Sequence, residues 1–154
     1  IGEKITIGKV NTIENSNSLN FKYQHSIIQD NVSKLGVIVS IEANEINEKI
    51  NTFGKQLSMH IAASNPIALN SGEIKPEIIE KEKELIEKEL KNSGKPQEIA
   101  KKISAGKINK FIEENSLMTQ DWVIEPKKKV KDIISEMNTP SLKIKDFFRI
   151  KIGE

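Results

Sequence analysis

Apolar residues recur at two different periods along this chain, and the switch between them divides it. From residue 4 to residue 42 the period is two. Ile5, Ile7 and Ile13 share one face of a first run, with Lys4, Thr6, Gly8, Val10 and Thr12 opposite. Leu19, Phe21, Tyr23, His25 and Ile27 align in a second run, and Leu35, Val37, Val39 and Ile41 in a third. Turn formers at 14–18 and at Gln29-Asp30-Asn31 separate the runs. The pattern predicts an antiparallel three-stranded meander with one buried face. At Asn44 the period changes. Ile46, Ile50, Phe53, Leu57 and Ile61 recur at steps of four, three, four and four, which places them on one helical face able to cover the sheet. Asn44 suits the N-cap, Glu45 the first turn, and Pro66 the stop.

Residues 76–115 read differently. Pro76 opens a helix at its first position, and Ile78, Ile79, Leu85, Ile86 and Leu90 form a narrow apolar seam. Gly94 supplies a left-handed stop, Pro96 restarts the chain, and Ile99, Ile103, Ile108, Phe111 and Ile112 mark a second helix. Two helices across so short a break predict an antiparallel hairpin. Residues 76–93 hold six glutamates and four lysines, and residues 94–117 three glutamates and five lysines, a polar surface that suits a projecting arm. Residues 118–125 read as a connector. Pro126 is expected to open a short helix bearing Val130, Ile133, Ile134 and Met137, and Thr139-Pro140 to end it. A last strand over 142–152 has Leu142, Ile144, Phe148, Ile150 and Ile152 in phase. The fold class is therefore α+β: an antiparallel β-sheet (the meander plus a C-terminal strand) covered by helices, with an inserted antiparallel helical hairpin. The expected division is a core of 1–75 and 116–154, and an arm of 76–115.

Composition narrows the function classes. A chain of 154 residues, 36% hydrophobic and 30% charged, suits one domain with a modest core. The absence of cysteine excludes disulfides and thiolate metal sites. No run approaches a membrane span and no secretory signal opens the chain, so the expected location is cytoplasmic. A net charge of +2 is too small to announce nucleic acid. The chain begins with isoleucine, which leads us to expect a piece of a longer protein.

Several short motifs then point one way. Met59-His60-Ile61-Ala62-Ala63-Ser64-Asn65-Pro66 closely resembles the M-H-(I/V)-A-A-S-(N/K)-P signature of the translation elongation factor Ts family. Ile1-Gly2-Glu3-Lys4-Ile5 resembles that family's I-G-E-N-I, and Tyr23-Gln24-His25 with Leu35-Gly36-Val37-Ile38-Val39 its Y-x-H and I-G-V-L-V. Ser93-Gly94-Lys95-Pro96 with Glu98-Ile99-Ala100, Gly106 to Phe111, Ser116-Leu117 with Gln120, and Phe148-Arg149-Ile150 with Ile152-Gly153-Glu154 continue the match in order. The resemblance implies the C-terminal part of a guanine-nucleotide exchange factor that binds GDP-bound EF-Tu and speeds GDP release. It implies EF-Tu contacts at Ile1, Gly2, His25 and His60, and a tendency to homodimerise through the sheet and hairpin. The family's wedge motif, T-D-F-V, does not occur in these residues, so weak EF-Tu binding and poor exchange are expected of this chain alone.

The residues themselves carry no covalent chemistry. His25 and His60 are the only histidines, and neither has partners at metal-ligand spacing, so no catalytic residue, metal or cofactor is expected. Read alone, His25 is a half-buried structural histidine; the resemblance turns it into a contact. His60, three residues after Leu57, reads as structural, capping or bridging to the hairpin base. Gly94-Lys95 and Gly106-Lys107 lack the spacing of a phosphate loop, so direct nucleotide binding is not expected. Lys127-Lys128-Lys129 with Lys131 is a basic run with few aromatics to stack bases. An RNA-binding domain or a coiled-coil adaptor without exchange activity is the alternative.

Overall fold

The computed structural model describes residues 2, 6–45, 47–92 and 96–154. In chain order the elements are β1 (Ser18–Gln29), β2 (Val32–Glu42), α1 (Glu48–Ser64), α2 (Pro76–Lys91), α3 (Gln97–Asn115), β3 (Asp121–Trp122), β4 (Glu125–Lys129), α4 (Val130–Glu136) and β5 (Lys143–Lys151). Short 3₁₀ turns lie at Ser71–Glu73 and Leu117–Thr119. The fold is α+β, as the change of period predicts. It divides into two compact units, Ile1–Ala63 with Thr139–Glu154, and Ser64–Asn138.

The first unit is a sheet with a helix. Its strand order is β1-β2-β5, antiparallel throughout. Phe21 stands opposite Val39, Tyr23 opposite Val37 and His25 opposite Leu35, so the alternating apolar residues of both strands share one face. Val37, Val39, Ile41, Ile50, Phe53, Leu57 and Ile61 are buried almost completely. Gly54 lies against the Phe21 ring, and a Cβ there would collide with it. Asn31, with φ of 60°, turns the β1–β2 hairpin, a left-handed conformation that asparagine tolerates.

Three local expectations change. Residues 6–13 pair with no strand and are mostly exposed, while residues 4 and 5 lie outside the described residues. The physical reason is visible in the pattern: Lys9 and Asn11 interrupt the Ile5–Ile7–Ile13 face, leaving too little apolar surface to hold an extra strand. Second, α1 begins at Glu48, not at Asn44. Asn47 is the cap, its Oδ1 accepting the Ile50 N–H at 3.0 Å, and the Asn44 N–H instead donates to Ser141 Oγ at 3.1 Å. Ile46 lies outside the described residues. Third, β5 slips register between Ser40 and Ile41 of its partner strand. The bulge puts Ile144 with Phe147 and Arg149 on the core face, and sends Phe148 and Ile150 to the opposite one.

The second unit centres on the two ends of the helical hairpin's base. Ala68 and Ser116 form a parallel bridge, with Leu117 N–H to Ala68 O at 2.9 Å and Met118 N–H to Leu69 O at 3.1 Å. Leu117, Trp122 and Val130 are buried beside it. Gln120 Nε2 donates to Ser64 O at 3.2 Å and to Glu114 O at 2.8 Å, satisfying carbonyls that the ends of α1 and α3 leave open. Helices α2 and α3 pack against each other, but only Ile86 and Leu90 of α2 are buried and no described residue of α3 is. Leu85, assigned by spacing to the seam, is 60% exposed. Gly94, the expected stop, lies outside the described residues. Pro126 does not open a helix. It belongs to β4, which pairs with β3, and α4 starts at Val130, where Asp132 Oδ2 accepts the Lys129 N–H at 2.9 Å.

Candidate partner-docking face

The far end of the β1–β2 hairpin is where the covered face of the sheet runs out. The core face fades along β1, from buried Phe21 through half-buried Tyr23 to exposed His25 and Ile27. Tyr23 Oη lies 3.1 Å from His25 Nδ1, with the rings tilted and their centroids 6.1 Å apart. That contact fixes one ring nitrogen and leaves the rest of the exposed imidazole available. Ser26 has φ of 54° and the β1–β2 register shifts between Ile27 and Gln29, so a bulge ends the regular ladder beside His25. Ile27 and Ile28, 65% and 61% exposed, follow directly.

Across the sheet, the row His25–Leu35 ends on Lys151, and the row Tyr23–Val37 ends on Arg149. Both cations meet one carboxylate. Arg149 Nη1 lies 2.8 Å from Glu154 Oε2, and Lys151 Nζ 2.9 Å from Glu154 Oε1. Lys151 and then Arg149 hold the Glu154 carboxyl below its ordinary range by hydrogen bonding. Gly153, at φ of 89°, makes the turn that returns Glu154 to them, and the Ile152 N–H donates to Lys34 O at 2.9 Å. Arg149 Nε also donates to Ala62 O at 3.3 Å, so the same guanidinium ties β5 to the last turn of α1.

The candidate residues therefore occupy different settings. His25 is exposed on β1, His60 is fully buried on α1, and Gly2 is exposed with open space around its Cα. Ile1 lies outside the described residues. Reasoning from the residues did not single out Arg149, Glu154 or Gln120 for a role, although all three stand in the quoted motifs; the signal was the spacing of the motifs, not the pattern of the core. Two lysines of the basic run are ion-paired: Lys128 Nζ meets Glu125 and Glu136 at 3.2 and 2.9 Å, and Lys129 Nζ meets Glu113 at 3.7 Å. The Glu136 and Glu125 hydrogen bonds raise the Lys128 pKa. Among the described residues there is no cluster of three acidic or histidine side chains able to hold a metal, and no helix long and apolar enough to cross a membrane. The face offers an aromatic–imidazole pair, apolar side chains and a guanidinium–carboxylate pair, the chemistry of recognition between proteins.

Comparison with known proteins decides the family. The model of the elongation factor TS family matches residues 1–154. This chain belongs to the elongation factor Ts family. It is 33% identical over 159 residues to the elongation factor Ts of Orientia tsutsugamushi (strain Boryong), with 100% of this chain and 51% of that protein covered. It is 38% identical over 136 residues to that of Mesorhizobium japonicum (strain LMG 29417 / CECT 9101 / MAFF 303099), covering 86% of this chain and 44% of the relative. With that of Brucella abortus (strain S19) it shares 37% over 158 residues, covering 100% and 52%. The chain thus spans about half the length of the curated relatives it matches. The elongation factor Ts signature at 59–66 has a clear local meaning here. It closes α1, with Asn65 in the left-handed region at φ of 47° and Pro66 forbidding another turn.

Proposed function

We propose that this chain is the EF-Tu-docking and self-association part of a guanine-nucleotide exchange factor of translation elongation, acting without covalent chemistry. The observation that carries the reading is the family match over residues 1–154, with the Y-x-H histidine, His25, standing exposed where the core face of β1 runs out. In this reading His25 and the Ile1-Gly2 segment contact EF-Tu. His60, fully buried, acts by holding the end of α1 in place, not by touching the partner. Residues 76–115 are the arm, and 1–75 with 116–154 the core subdomain. GDP release follows by linkage: a partner that binds EF-Tu more tightly without GDP weakens GDP by the same factor. This chain binds no nucleotide itself and works in the cytoplasm.

The face of the sheet opposite α1 suits a homodimer. Ile38 and Ile150 are 43% and 36% exposed there, with Phe148 of β5, paired with Ile38, half-buried beside them. Val10, in the segment before β1, is a further exposed apolar residue. RNA binding is disfavoured, because glutamates already neutralise Lys128 and Lys129.

Release of a fluorescent GDP analogue from EF-Tu, run beside a direct binding assay, tests this. The expected result is binding with little acceleration, because T-D-F-V is absent from these residues, and binding about tenfold weaker for His25→Ala, a loss of about 1.4 kcal/mol. Undiminished binding by His25→Ala would move the docking face elsewhere. Full acceleration would show that the sheet and hairpin open the nucleotide site unaided.

A further inference from the structure

The arm holds a groove that neither the family assignment nor the EF-Tu reading uses. It lies between α2 and α3 and has a volume of about 720 Å³. Its lining residues recur on α3 at Gln97, Ala100, Ser104 and Ile108, steps of three, four and four, and on α2 at Lys83, Glu87 and Leu90, steps of four and three. That is the spacing of one continuous seam facing the other helix. The seam is poorly filled. Leu90 and Ile108 form part of its floor, but Ala100 and Ala105 stand where larger side chains would close the pair, so the helices leave volume between them that interiors do not tolerate. The space runs from Gln97 to Asn109 on α3, about 18 Å at 1.5 Å per residue, the length of three helical turns.

The rim gives the occupant its charge. Lys83, Lys91 and Lys101 surround the apolar floor, against one acid, Glu87. Lys83 contacts Glu80 at 3.4 Å, whereas Lys91 and Lys101 have no carboxylate partner among the described residues. We infer that this groove receives an amphipathic helix of a partner protein, with aliphatic residues at heptad spacing on one face and Asp or Glu flanking them. The incoming helix completes a three-helix bundle, burying the Leu90–Ile108 floor while its acids meet Lys91 and Lys101. A flank of lysines meets like charge and is rejected. This site stands on the arm and is independent of His25.

The test uses the whole chain and a fluorescein-labelled synthetic peptide of three heptads, with Leu at a and d and Glu at e and g. The glutamates keep the peptide from pairing with itself. A second peptide replaces those glutamates with lysine. Fluorescence anisotropy should show the acidic peptide binding at least about tenfold more tightly than the basic one, with affinity falling as salt rises. Ala100→Leu with Ala105→Leu fills the groove at little cost in helix propensity and should abolish binding while circular dichroism stays unchanged. Lys91→Glu with Lys101→Glu should reverse the preference between the two peptides. Leu85→Ser, outside the groove, and His25→Ala should change nothing. The proposal is overturned by equal binding of both peptides, by undiminished binding to the filled groove, or by sedimentation showing that Ala100→Leu with Ala105→Leu turns a dimer of this chain into a monomer, which would make a second copy the occupant.

Discussion

Helices α1 and α2 are nearly equal in length, 17 and 16 residues, and each carries aliphatic residues at helical spacing. Yet α1 buries seven residues, from Ile50 to Ile61, and α2 buries two, Ile86 and Leu90. The difference lies in what each has to pack against. In the first unit α1 meets a sheet face built from Phe21, Leu35, Val37, Val39 and Ile41, which extends sideways as well as lengthwise. In the second unit α2 meets another helix, whose contact is a line, and the partner line is interrupted by alanine. Periodicity fixes which side of a helix is apolar; the partner fixes how much of that side leaves water.

The contrast is broken most severely in the core. Leu57→Ala and Ile61→Ala, at fully buried positions, should each cost about 2–5 kcal/mol, whereas Leu85→Ala on the arm should stay within about 0.5 kcal/mol. Urea denaturation read by circular dichroism measures both; a loss at Leu85 equal to that at Leu57 would mean that the arm packs as a core. Next comes Gly54→Ala. The added methyl meets the Phe21 ring and should cost about 1–3 kcal/mol, despite alanine's better helix propensity. Pairing it with Phe21→Leu should recover part of the loss, and strict additivity of the two changes would argue against the contact.

A smaller effect separates the two candidate caps of α1. Asn47→Ala should cost about 0.5–2 kcal/mol and Asn44→Ala less, because Asn47 supplies the side-chain oxygen to the Ile50 N–H. The reverse order would restore the longer helix read from the sequence.

The smallest is a pH effect at Glu154. Folding lowers this carboxyl's pKa from 4.5, through Lys151 and then Arg149, so the unfolded chain takes up the proton first. The stabilisation is present above 4.5 and is lost as pH falls through the depressed folded value. Melting temperatures of the chain and of Glu154→Gln should therefore differ at neutral pH and converge under acid conditions. A gap that is constant with pH would remove the ion pairs as its cause.

The α+β class, α1, the helices α2 and α3 and the C-terminal strand are legible as changes of hydrophobic period. What escaped is local. The helix start moved because Asn44 and Asn47 have the same chemistry, and only the path of the chain leaving β2 selects between them. Pro126 suits the first turn of a helix and a short edge strand equally well, and pairing with Asp121–Trp122 chose the strand. At the candidate docking face, Tyr23 and His25 were in phase on paper. Their different exposure depends on where cover ends, which alternation cannot encode.

The sequence by itself determined the change from strand to helix period, the apolar faces of β1, β2 and α1, and, through motifs spread over its whole length, the family. These are local properties, set by side-chain alternation, capping and turn chemistry within a few residues. The tertiary structure alone decided the register of β5, the joining of Arg149 to Ala62, the burial of His60 and the open groove between α2 and α3. Each depends on groups distant in sequence sharing space. A single bulge in β5, invisible in composition, is enough to exchange which of Phe147 and Phe148 faces the core.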